Sequence, residues 1–105
     1  MVSDYHARAQ KRAALRYTVN ENGCFISTYS TGSHGYAQVG WSELVDGERK
    51  AVVMLAHRLA WEFHYGPIEA ETLDHSCFER RCINMAHLRE MSRADNSARQ
   101  ERRAA

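Results

Sequence analysis

With one proline and six glycines in 105 residues, the chain is not a low-complexity tract. No apolar run approaches the roughly 20 residues of a membrane span. The opening stretch, MVSDYHARAQKRAALRYTV, is charged and lacks the apolar middle of a signal peptide. Cysteine is scarce and odd in number, three in all, which argues against a closed disulfide framework. These absences point to a cytosolic, reduced protein, where closely spaced Cys and His more often mean metal than disulfide. Net charge is nearly absent too, at +1, and the 44% hydrophobic content is ordinary. A chain of this length makes one domain at most, with a thin core.

The distribution of charge says more than its sum. Arg8, Lys11, Arg12 and Arg16 stand against Asp4 near the start, and seven arginines follow from Arg80 onward against Glu79, Glu90, Asp95 and Glu101. Basic ends around a mixed centre suit a phosphate backbone, and equally describe two solvated helices with arginine-rich outer faces. Residues 3–15, rich in Ala, Arg and Lys, read as a weakly amphipathic helix that docks late or lies on a partner. GCFIST (23–28) and GYAQVGW (35–41) read as strands, and the Asp-Gly of VDGE (45–48) signals a hairpin returning over 49–55. Leu55, Leu59 and Phe63 then fall at helical spacing, with Ala60 and Trp61 widening the stripe, until Gly66-Pro67 stops the helix.

The informative stretch is LDHSCFERRCINMAHLREMSRADN (73–96). Residues 71–75 read as a short strand, 76–87 as an irregular loop, and 88–91 as a second strand. A helix then begins at Ser92, with Asp95 completing a capping-box-like pattern. That is a small ββα unit. Within it, Cys77, Cys82 and His87 make Cys-x4-Cys-x4-His, and Cys24 is the one cysteine left to complete a tetrahedral zinc site. A metal clip would hold a loop with no regular structure, whereas the bland alternative makes each cysteine a small buried hydrophobe. His75 follows a carboxylate, Asp74, and Asn96 comes 21 residues later on the helix. An imidazole can accept a proton from water near neutrality, and Asp and Asn oxygens suit a hard ion such as Mg²⁺. A base beside an oxygen-bound metal is the minimum for one-metal phosphodiester cleavage.

The segment DHSCFERRCINMAHLREMSRADN resembles the active site of HNH endonucleases of the His-Me finger (ββα-metal) superfamily. With Gly23-Cys24, His57-Arg58-Leu59-Ala60 and YGPI (65–68), it is similar to the phage HNH type and to zinc-bearing intron homing endonucleases, over residues 22–99. The resemblance implies an α+β fold: a ββα-metal unit with a preceding antiparallel sheet and flanking helices, stapled by one structural zinc. Residues 1–21 would be a basic helical extension and 22–105 the endonuclease domain. It implies His75 as general base, Asp74 and Asn96 as ligands of Mg²⁺ or Mn²⁺, and Cys24, Cys77, Cys82 and His87 around Zn²⁺. Asn84 would fix the loop by hydrogen bonds. Cleavage of double-stranded DNA would leave 5′-phosphate and 3′-hydroxyl ends, by a homodimer if both strands are cut and by a monomer if one is nicked.

Candidate DNA contacts are Arg49, Lys50, Arg58, Arg81, Arg93 and Arg99, with Arg49, Arg58, Arg81 or Arg93 neutralising the phosphate. Tyr36, Gln38 and Trp41 are further candidate readers on the strands between Gly35 and Met54. They would equally serve as a half-buried sheet packed on the 55–65 helix. A zinc-stapled DNA-binding module without catalysis is the competing reading, and an interaction protein using the zinc loop only as a surface is another.

Overall fold

The computed structural model describes residues 3–104, with side chains described through residue 98. Helix α1 spans Asp4–Leu15 and is capped by Ser3, whose Oγ accepts from the His6 amide at 3.1 Å. Its alanines Ala9, Ala13 and Ala14 are buried in the main core rather than left for a partner. Such small side chains let α1 lie close against helix α2 (Ala56–Tyr65), and the contact is tied by His6 Nε2 to Glu62 at 3.2 Å. α2 buries Ala56, His57, Leu59 and Ala60, while Phe63, expected on its core stripe, is 42% exposed. The helix turns its small residues inward because the alanine face of α1 leaves no room for a ring there.

Three two-stranded antiparallel sheets surround this pair. Strand β1 (Tyr17–Val19) pairs with β2 (Phe25–Ser27); the sequence pattern showed no strand at β1 and drew β2 longer, as 23–28. The loop between them is closed by Asn20, whose Oδ1 accepts from the Asn22 and Cys24 amides, both at 2.9 Å. Strands β3 (Gln38–Val45) and β4 (Glu48–Leu55) form the long hairpin around Asp46-Gly47. Both turn residues have positive φ, 51° and 81°, as a two-residue hairpin turn requires. β3 begins later than expected because residues 32–36 form a turn, with the Gly32 amide bonded to the Tyr36 carbonyl at 3.1 Å. It ends later because the tight turn keeps the ladder paired to Val45↔Glu48.

The ββα unit follows. Strand β5 (Thr72–His75) pairs with β6 (Leu88–Met91) in the register His75↔Leu88, and helix α3 (Arg93–Ala104) packs on β5. The α3 start is fixed as the sequence suggests: the Asp95 amide donates to Ser92 Oγ at 3.2 Å, and the Arg93 amide to Glu71 Oε1 at 3.2 Å. No helix among the described residues is long and apolar enough to cross a membrane.

Leu59 and Val39 are fully buried, and the rest of the core is largely alanine. Leu59→Ala should therefore cost about 3 kcal/mol, a large share of a small domain's stability. Urea unfolding checks this, with the exposed Leu44→Ala as comparison. Equal midpoints for the two variants would refute the placement of Leu59 at the centre of the core.

Candidate active site and metal centre

Four side chains far apart in sequence meet beside β2. The Cys24, Cys77 and Cys82 sulfurs and an imidazole nitrogen of His87 all lie within 4.8 Å of one another, and no disulfide joins the three cysteines. His87 Nδ1 is 3.7 Å from Cys24 Sγ and 3.5 Å from Cys82 Sγ. The loop reaches this position because β2 holds it. The Ile83 amide donates to the Phe25 carbonyl at 2.8 Å, and the Ser27 amide to the Arg81 carbonyl at 2.9 Å. Asn84 Nδ2 donates to the Gly23 carbonyl at 2.9 Å, and its Oδ1 accepts from the Ala86 amide at 2.9 Å, so Asn84 ties the loop as expected. Burial, reinforced by the neighbouring Cys77 and Cys82, pushes the Cys24 thiol up to about 12. Burial raises the Cys82 thiol as well, and a bound cation would supply the counter-charge that these two clustered thiols lack. The cluster is thus a site able to hold a metal ion.

On the other side of the loop a polar pocket is lined by Tyr36, Leu73, Asp74, His75, Phe78, Arg80 and Asn96. The three residues expected to do chemistry are therefore together. His75, at the end of β5, is 5% exposed, and its Nε2 lies 3.0 Å from the Cys82 carbonyl oxygen. A carbonyl only accepts, so Nε2 carries the proton and Nδ1 keeps its lone pair. Burial holds the His75 pKa below its usual value, outweighing the opposite pull of the Cys82 carbonyl and Asp74. Asp74 is buried beside Arg89, whose Nε lies 3.4 Å from Asp74 Oδ2. From α3, Asn96 brings a buried Oδ1 with no hydrogen-bond partner among the described residues.

Behind His75 stands a second histidine. His57 on α2 is 4% exposed, its ring centre is 4.6 Å from that of His75, and Tyr36 stacks on it at 5.1 Å. Burial, with the nearby positive potential of His75 and Arg58, holds His57 well below the ordinary histidine value.

The candidate arginines occupy several places. Arg81 turns to Glu79, 3.5 Å away, and Arg49 and Lys50 sit at the turn end of the β3–β4 hairpin, opposite Leu44 and Glu43. None of Arg49, Lys50, Arg58, Arg81 and Arg93 is among the residues lining the pocket; Arg80 is. Arg99 lies outside the residues whose side chains are described. Of the candidate readers, Trp41 donates to Glu43 at 2.7 Å and packs against His6, and Gln38 contacts His34. Arg80 and Arg89 had no assigned role, and His57 stood in the His57-Arg58-Leu59-Ala60 motif without one. The partners lie 46 residues away for Arg80 and 15 for Arg89, so the sequence held no local signal for these two.

A family model described as HNH endonuclease matches residues 54–98, the span from the end of β4 into α3 that holds Asp74, His75 and Asn96. An "Uncharacterized gene 5.3 protein" of Enterobacteria phage T3 is 31% identical over 86 residues, which make up 80% of this chain and 83% of that protein. No solved structure matches the chain. The chain belongs to the HNH endonuclease family.

The two buried histidines make stability depend on pH. Their folded pKa values lie below the ordinary 6.5, so the unfolded chain binds protons first as pH falls. Stability should hold above that value and decline below it. The urea midpoint should drop between pH 7 and pH 5, and less steeply for His57→Leu. Parallel curves for the two proteins would remove His57 as a source.

Proposed function

We propose that this protein is a metal-dependent DNA endonuclease, with His75 as general base and Asp74 and Asn96 as the residues that hold Mg²⁺ or Mn²⁺. One observation carries the reading. A buried imidazole with its Nε2–H committed to a carbonyl and its Nδ1 lone pair left over shares a pocket with a buried, unpartnered Asn96 oxygen. The first is what a base needs, and a hard cation is what relieves the second. His75, neutral at pH 7 because of its burial, accepts a proton from water at Nδ1. The Cys82 carbonyl holds the ring's orientation throughout and receives the Nε2–H more strongly once the ring is charged. Asp74 and Asn96, approaching from β5 and α3, supply two oxygens of a coordination shell. A divalent ion held by them would supply Lewis-acid stabilisation of the charge developing at the phosphate, and cleavage would leave 5′-phosphate and 3′-hydroxyl ends.

The thiol and imidazole cluster takes Zn²⁺ in a structural role in this reading. With Zn–S of about 2.3 Å, a tetrahedron has ligand–ligand edges of about 3.5–3.8 Å. The 3.5 and 3.7 Å separations of His87 Nδ1 from the two sulfurs fit that figure. All four positions are filled by protein, so no position is left for substrate. Residues 22–105 make the nuclease domain and 1–21 an extension. Arg8 and Lys11 face solvent on the extension, where they can follow a double-stranded DNA backbone. A monomer nicks and a homodimer cuts both strands. The phage relative is consistent with action in the cytoplasm of an infected bacterium.

Two measurements test this. Native mass spectrometry of the folded chain should show one zinc, lost in Cys82→Ser with a lowered thermal midpoint; a folded, zinc-free wild type would remove the structural metal. Supercoiled plasmid should be nicked by the wild type with Mg²⁺ or Mn²⁺ and not without, and His75→Ala should lower the rate by about 10²–10⁴. Plasmid shifted on a gel but left intact by both proteins, in plasmids of differing sequence, would instead favour a silent DNA-binding module.

A further inference from the structure

The pocket contains a base and oxygen ligands, and one cation belonging to the protein stands at its rim. Arg80 projects from the loop between Cys77 and Cys82 and is exposed, yet its side chain makes contacts from Cδ to the guanidinium. Its stem crosses Gly35, where an added Cβ would meet Arg80 Cδ at 3.4 Å, and Gly35 has φ of 84°. Its Nη1 donates to the His34 carbonyl at 2.7 Å. Its guanidinium carbon lies 5.6 Å from the centre of the Tyr36 ring, which stacks in turn on His57 beside His75. No carboxylate pairs with it among the described residues, in contrast to Arg81 and Arg89.

A guanidinium offers five N–H donors, and one is used by His34. The others make no hydrogen bond among the described residues and can take an anion. Holding a long cationic side chain in one geometry costs side-chain entropy, and a solvated surface arginine has no reason to meet that cost. Here a glycine, a carbonyl and an aromatic face converge to do so, at the mouth of a pocket that also contains His75 and the unpartnered Asn96 oxygen.

We propose that Arg80 is the residue that binds a non-bridging oxygen of the scissile phosphate, with Gly35, His34 and Tyr36 as its positioning residues. This role builds on the nuclease reading and names a group which that reading lacked. The planar fork matches two phosphate oxygens, as a lysine ammonium does not. Its charge, already in place at the rim, opposes the negative charge that grows on phosphorus as His75 removes the water proton. Tyr36 couples the two, since its ring lies between Arg80 and the histidine pair.

The test is single-turnover cleavage of plasmid at saturating protein, beside DNA affinity by gel shift, for zinc-loaded samples with thermal midpoints matching the wild type. Arg80→Ala should lower the cleavage rate about 100-fold, with affinity changed less than about threefold. Arg80→Lys should recover a minor part, and free guanidinium should raise the rate of Arg80→Ala but not of the wild type. Arg16→Ala removes an exposed arginine that also lies over a tyrosine, outside the pocket, and should keep the wild-type rate. If Arg80→Ala loses its fold, Arg80→Gln, which keeps most of the stem, replaces it with the same expectation. A wild-type rate in the folded variant would overturn the role, and so would a weakened affinity with an unchanged saturated rate, which marks an ordinary backbone contact. A wild type that cuts nothing with any divalent ion would overturn the nuclease reading itself, and this role with it. That outcome is distinct because it does not depend on residue 80.

Discussion

The meeting of Cys24 with Cys77, Cys82 and His87 is the constraint on which the rest of the site depends. Residues 76–84 have no helix or strand of their own, and the core beneath them is mostly alanine, so hydrophobic burial alone holds them weakly. What fixes them is a seam to β2: the Cys82–Ile26 bridge, the Ile83–Phe25 and Ser27–Arg81 hydrogen bonds, and Asn84 on the Gly23 carbonyl. The thiol and imidazole cluster closes the same seam. One consequence lies just across the backbone. The carbonyl of Cys82, whose sulfur belongs to the cluster, accepts the Nε2–H of His75. The thiol and imidazole cluster and the His75 ring are therefore tied to two sides of one residue.

A second dependence is electrostatic. The buried His57 and His75 rings lie against each other with the half-buried Tyr36 ring on His57, and burial lowers both imidazole pKa values. In the proposed reading, this lets His75 serve as a base, with a neighbour behind it that would neither compete for the incoming proton nor repel a cation. The charge that remains is placed at the edges. Arg89 answers Asp74 from the paired strand, and Arg80 stands at the rim over Tyr36. The HNH family match spans α2 and the ββα unit together, and in this chain the reason is physical, because α2 supplies the back wall of the histidine site.

Much of this could be read from the residues alone. Spacing gave Cys-x4-Cys-x4-His, the Asp74-His75 pair and the helical Asn96, because metal and proton chemistry demand particular side chains at short, countable intervals. The Asp-Gly hairpin, the stop at Gly66 and the Ser92 cap were legible because each is a local backbone requirement. Less legible was strand β1, three residues long and without alternation, which exists because β2 pairs with it. The burial of α1 was also hidden. Its alanines carry too little apolar area to announce a core face, and they count only once another small-residue helix is found to approach them.

Sequence by itself determined the chemical inventory and the local turns, since ligand type, capping and turn conformation depend on neighbours a few residues away. Tertiary structure alone decided which further groups join the expected ones. Arg80 meets His34 across 46 residues, and Asn84 meets Gly23 across 61. No periodicity encodes contacts of that range, because they arise when separate elements pack. Of two adjacent arginines with the same charge and flexibility, one is turned toward Glu79 and the other is seated at the pocket, and only the folded chain distinguishes them.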